Sequence, residues 1–237
     1  MKIEGCEGRA VFAAGERSPE RAPSRSKLLY YFNGFNSAVP EDWSDNDKIV
    51  AVADWAGRRG YRFLPCSVDY RQAGAQAGKI LASIASGFAG GGADGRLPER
   101  VIFSGSSMGG WFARVMQLRL ASARPGLPVE ALAFNPAFDL GLHGHMLLGP
   151  QVNLVTGESY QWTTRDSAAL GRLEASVDFD APLPFFVYVD KGDEVIDWQH
   201  SAVRHAPIAR FLAFEGGSHS FEHAPEALQD FDAAGRP

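Results

Sequence analysis

Lys27-Leu28-Leu29-Tyr30-Tyr31-Phe32 is a nearly unbroken apolar run that ends in the turn-rich Asn33-Gly34-Phe35-Asn36-Ser37. A strand with one wet face alternates apolar and polar residues. A run without alternation is buried on both faces, as in parallel sheets covered by helices on each side. The rest of the chain repeats this pattern. Further strands are expected at 61–64, 100–104, 129–134, 184–189 and 208–214, and helices at 49–59, 72–88, 108–120, 198–206 and 225–234. Ile49, Val52, Ala53 and Ala56 fall on one side of the first helix, with Gly60 as its stop; Ile80, Leu81, Ile84 and Phe88 share a side of the second. Strands alternating with helices imply right-handed crossovers and a mainly parallel sheet. The expected architecture is a three-layer α/β fold with helices on both faces of the central sheet.

The whole chain, 1–237, reads as a single domain. A short edge strand is expected at 9–13, followed by a mobile connector over 16–26; the glycine-rich 89–95 reads as a surface loop. Residues 139–180 interrupt the alternation with Gly, His, Thr and Trp and no clear period. They lie between two core strands, where a small lid-like insertion is expected.

Composition narrows the function classes. A hydrophobic fraction of 45% supports a packed globule, and a net charge of −5 with mixed signs gives no basic surface for nucleic acid or anionic membrane. Cys6 and Cys66 are the only cysteines, which argues against a disulfide framework. The first residues lack the apolar core of a secretory signal, and no run of about 18 apolar residues could span a bilayer. The expectation is a soluble, cytoplasmic protein.

Gly105-Ser106-Ser107-Met108-Gly109 follows the apolar Val101-Ile102-Phe103 and opens the expected third helix. With 26 glycines in the chain the pentad alone is a common pattern; its place between strand and helix gives it the context of a nucleophile elbow. A serine hydroxyl needs a base to take its proton, and the base needs an acid to orient it. Both should sit at the ends of neighbouring strands. Phe185-Phe186-Val187-Tyr188-Val189 runs into Asp190-Lys191-Gly192-Asp193-Glu194-Val195-Ile196-Asp197, and Asp193 is the favoured acid over Asp190, Glu194 and Asp197. Strand 208–214 leads into Glu215-Gly216-Gly217-Ser218-His219, whose glycines let His219 turn back over the sheet end; His223 is the reserve candidate. His200, His205 and His223 are otherwise expected at the surface. His143 and His145 lack a carboxylate or cysteine at metal-ligand spacing, so no metal is expected.

The order Ser107, Asp193, His219 is that of α/β-hydrolases. Oxyanion donors are expected at the backbone N–H of Met108 and of Phe35, with Asn36 second. Trp111, Phe138, Tyr160 and Trp162 are candidate walls of an apolar acyl pocket, together with Phe35.

These residues resemble the small esterases of the YqiA/YcfP type, in the α/β-hydrolase superfamily. The match covers Leu28 through Ser37, Gly105 through Trp111, Phe134-Asn135-Pro136-Ala137, Thr156-Gly157-Glu158-Ser159-Tyr160, Gly192 through Trp198 and Glu215 through Phe221. The resemblance implies carboxylester hydrolysis by the same three residues, without a cofactor. Asn33 stands where the family loop has histidine, and 39–47 and 89–95 lengthen the chain relative to compact members. The expected activity is cleavage of small apolar acyl esters through an acyl-enzyme, with a small-molecule ester as partner. A thioesterase or acyltransferase would use the same residues, and a non-catalytic binding protein would have no need of all three.

Overall fold

The computed structural model describes residues 27–87 and 97–234. The strand expected at 9–13, the connector at 16–26, the loop at 89–95 and Phe88 lie outside the described residues. The elements run β1 (Lys27–Phe32), α1 (Asp47–Arg58), β2 (Tyr61–Cys66), α2 (Ala73–Ala85), β3 (Arg100–Ser106), α3 (Met108–Ala123) and β4 (Val129–Phe134). They continue with α4 (Leu140–His143), β5 (Gly149–Val152), β6 (Ser159–Trp162), α5 (Thr164–Ala175), β7 (Phe185–Asp190), α6 (Trp198–His205), β8 (Arg210–Phe214) and α7 (Ala224–Ala234).

Six strands form one sheet in the order β2-β1-β3-β4-β7-β8, and every pairing is parallel. Side chains alternate across it, as the two-residue period of a strand requires. Leu28, Tyr30 and Phe32 of β1 pack with Val101 and Phe103 against α2, α3 and α5; Leu29 and Tyr31 pack with Ile102, Leu132 and Phe134 against α1 and α7. Phe32 meets Phe112 of α3 edge-on at 4.9 Å between ring centroids. Burial of one such ring contributes about 1.5–3 kcal/mol. Pro65 has no N–H for a ladder, and it is tolerated because β2 lies at the sheet edge.

The helices start where the sequence supplies caps. Asn46 accepts the Ile49 N–H ahead of α1, and Thr163 and Asp166 form a reciprocal capping box at α5. Arg114, buried within α3, donates to Gln117 Oε1 and to the carbonyls of Phe179 and Ala181, and its guanidinium stacks 4.8 Å from Phe185. This pins the connection from α5 to β7 against the core.

The segment 139–180 is more regular than its sequence suggests. It holds α4, a 3-10 turn at Gly144–Leu147, an antiparallel β5–β6 hairpin and α5. Each hairpin strand has four residues, too few for a two-residue period to stand out. Among the described residues no helix is long and apolar enough to cross a membrane.

Candidate active site

The chain passes from β1 to β2 on one side and then to β3 on the other. Such a reversal opens a crevice at the carboxyl ends of the two central strands. Ser107 stands there, between β3 and α3, with φ 56° and ψ −126°. Its N–H donates to the Phe134 carbonyl, and its own carbonyl accepts from Gly110 and Ala137, each at 3.0 Å. These bonds hold a conformation that an L-residue otherwise avoids. Ser107 occupies the N-cap position of α3, but its side chain makes no capping bond.

The glycines of the pentad permit close backbone approach. A Cβ on Gly109 would lie 2.2 Å from the Phe32 carbonyl oxygen, and one on Gly105 would lie 2.5 Å from the Gly109 carbonyl. Any side chain at either position would push β1, β3 and α3 apart.

The loop after β1 lies directly over the serine. A Cβ on Gly34 would sit 3.3 Å from Ser107 Cβ and 3.8 Å from its Oγ. Phe35 and Met108 both line the adjacent cleft, and neither N–H has a backbone acceptor among the described residues. Asn33 shapes this loop through its side chain. Its amide donates to the Gly34 and Ser37 carbonyls and accepts the Val68 N–H at 2.6 Å, and Tyr70 donates to its carbonyl. An asparagine thus ties the β1 and β2 loops together at the position where the resembled family has histidine.

His219 Nδ1 lies 3.0 and 2.9 Å from the two oxygens of Asp193. The Asp193 side chain is 2% exposed and also accepts the N–H groups of Val195 and Ile196 at 2.8 Å. Burial alone would raise its pKa; the bonds from His219, Ile196 and Val195 outweigh it and hold the carboxyl below its ordinary value. An anion is therefore fixed behind the imidazole. Gly217 lets the histidine loop pass close over Asp190: it has φ +73°, and a Cβ there would lie 2.0 Å from Asp190 Oδ2.

The rival acids have other partners. Asp197 caps α6 by accepting from Gln199 and His200. Glu194 accepts the backbone N–H of His219 at 3.0 Å. Asp190 is fully buried and holds His223. Two histidines expected at the surface are placed otherwise. His205 is buried, bonded to Ser201 and edge-on to Phe138 and Phe185, and burial pushes its pKa down to about 4. His223 is half-buried against Asp190. His200 is exposed. Among the described residues, no group of three or more His, Cys, Asp or Glu could hold a metal ion.

Ser107 and His219 open into a cleft of about 1020 Å³ with walls from Leu140, Met146, Leu147, Val203 and Ile208. Of the four aromatics proposed for its wall, Phe138 lines it. Trp111, Tyr160 and Trp162 stand behind it. Trp111 and Trp162 are buried and donate their indole N–H to Glu174 and Ser167, while Tyr160 bonds Asn36 and stacks on Arg71. Their payload is spent joining α5 and the hairpin to the core. Phe35 couples the two sets: it lines the cleft and meets Trp162 edge-on at 5.1 Å.

This arrangement has the fold of the α/β-hydrolase superfamily. The chain belongs to the uncharacterised protein family UPF0227, which matches residues 28–233. Solved structures agree on the fold at low identity. Est1E from Butyrivibrio proteoclasticus is 14% identical with a TM-score of 0.61, over 90% of this chain and 89% of that one. Mouse alpha/beta hydrolase domain-containing protein 10 is 19% identical with a TM-score of 0.55, over 92% and 91%. Thermogutta terrifontis esterase 2, in a form phosphonylated by cyclosarin, is 14% identical with a TM-score of 0.57, over 90% and 82%. None of the curated proteins matches the chain.

Proposed function

We propose that this protein is a serine carboxylesterase acting on uncharged esters with apolar acyl groups. The observation that carries the reading is the contact of Asp193 with His219, which lines the cleft that Ser107 enters from a strained turn. The fold shared with esterases supports a hydrolase-type activity, and fold alone leaves the chemistry to the site.

In the proposed reaction Ser107 Oγ attacks the ester carbonyl carbon while its proton passes to His219, whose Nδ1–H is held by Asp193. The N–H groups of Phe35 and Met108 receive the oxyanion. As the tetrahedral intermediate collapses, the carbon–oxygen bond to the alcohol breaks and His219 returns the proton to the leaving oxygen. Water then attacks the acyl-enzyme, with His219 again taking a proton, and Ser107 is released with its hydroxyl restored. Ester and water give acid and alcohol. The cleft is at the upper end of the roughly 300–1,000 Å³ usual for small-molecule sites, so acyl groups larger than acetyl have room.

A fluorophosphonate probe tests the reading. The wild-type protein is expected to be labelled and Ser107→Ala to remain unlabelled, with model esters of graded acyl length defining the preference. Failure of the wild type to label, under conditions where a known serine esterase reacts, would sink it.

A further inference from the structure

Lys48 breaks a local rule. It stands in the first turn of α1, where the helix dipole favours acids over cations. Its Nζ donates to Ser106 Oγ at 2.8 Å and to the Ser220 carbonyl at 2.7 Å. Ser106 is the residue before Ser107, and Ser220 is the residue after His219. One ammonium therefore joins the two loops that carry the nucleophile and its base.

The charged groups that act on it are Asp190 and Asp193, at the end of β7 and in the loop beyond, which hold His223 and His219. Ser106 on β3 and Ser220 in the histidine loop are neutral, and Asp47 is its acidic neighbour on α1. Burial lowers the Lys48 pKa to about 8, against the opposing pull of Asp190 and Asp193. Its charge therefore changes within the pH range of an ordinary assay.

We propose that Lys48 is a positioning residue for the hydrolytic site, its protonated side chain locking the Ser107 turn to the His219 loop. The inference rests on the hydrolase reading above. A charged lysine offers three N–H donors and an attraction to two carboxylates; the neutral amine keeps two donors and loses the attraction. The tie slackens on deprotonation, and small displacements between nucleophile and base are costly in rate. Lys48 does not line the cleft, so its influence is on turnover and not on substrate binding.

The test is the rate of fluorophosphonate labelling between pH 6 and pH 10 for wild type, Lys48→Met and Lys48→Arg, with ester kinetics alongside. The wild-type rate is expected to fall on the alkaline side with a midpoint near 8. Lys48→Met should label about 10-fold more slowly at neutral pH, in kcat with KM little changed, and lack the alkaline fall. Lys48→Arg, charged throughout, should recover part of the rate and stay flat. Wild-type labelling by Lys48→Met, or the same alkaline midpoint in either variant, overturns the inference. If Lys48→Met does not fold, the profile of Lys48→Arg decides by the same criterion. A wild-type protein that neither labels nor cleaves esters overturns the hydrolase reading, and this inference with it; a labelled wild type with unaltered variants overturns this inference alone.

Discussion

The imidazole of His223 lies 2.7 Å from Asp190, so the protein holds a second His–Asp pair beside the one formed by His219 and Asp193. Asp190 is saturated by the His223 ring and by the N–H groups of Glu222 and Ser218. The His223 ring lies flat on Phe214 at 4.9 Å and does not line the cleft. This pair fastens the histidine loop to the end of β7; His219 of the other lines the same cleft as Ser107. His223→Gln is expected to lower stability by about 1–2 kcal/mol while keeping fluorophosphonate labelling within a few-fold. His219→Gln should lower kcat/KM by about 10³-fold or more. Urea midpoints and labelling rates on both variants check the assignment, and the reverse pattern would make His223 the base.

Asp193 and Asp197 separate by role. Asp193→Asn keeps the shape but favours the wrong tautomer of His219, and kcat is expected to fall by about 10⁴-fold. Asp197→Asn replaces one good N-cap by another, so activity within about 2-fold and an unchanged unfolding midpoint are expected. Steady-state kinetics on a model ester compare the two directly.

Gly109→Ala places a methyl 2.2 Å from the Phe32 carbonyl, with backbone on both sides of the clash. A loss of about 3 kcal/mol or more is expected, measured by urea unfolding. A variant of wild-type stability would show that β1 and α3 can separate without cost.

His205 gives the fold an acid sensitivity unrelated to catalysis. Its pKa is about 4 when folded and near the ordinary value of 6.5 when unfolded. Between those values the unfolded chain binds the proton and the native one does not, so stability falls as pH drops from 6.5 towards 4 and is unaffected above that window. The total is of order 3 kcal/mol. Urea midpoints across this range should show a slope in the wild type that is reduced in His205→Gln.

The sheet was legible because β1, β3, β4 and β7 are covered on both faces, which leaves apolar runs that few other environments produce. The loops bearing Ser107 and Asp193 were legible for a related reason: each follows such a run and carries a glycine that a sharp turn needs. The His219 loop follows the edge strand β8, which is not covered on both faces, and was legible from its paired glycines Gly216 and Gly217. What stayed hidden depends on contacts between distant residues. Nothing local marks Asp190 as the anchor of His223, or Lys48 as a tie between Ser106 and Ser220. Trp111 and Trp162 look like cleft aromatics from composition, and only their indole partners reveal that they lie behind the wall. Asn33 reads as a turn residue, although its side chain spans 35 positions in sequence to reach Val68.

The parts of the cleft are built on unequal foundations. Around Ser107 the main chain itself is wedged tight, carbonyl against α-carbon, so that end tolerates almost no alteration. Farther out, Met146 and Leu147 on the 3-10 turn, Val203 on α6 and Ile208 after it are ordinary side chains, and Met146 and Val203 are 74% and 77% open to solvent. Selection can remodel those outer residues to admit different molecules while the wedged backbone around Ser107 is inherited intact, which makes this scaffold easy to diversify and hard to repurpose.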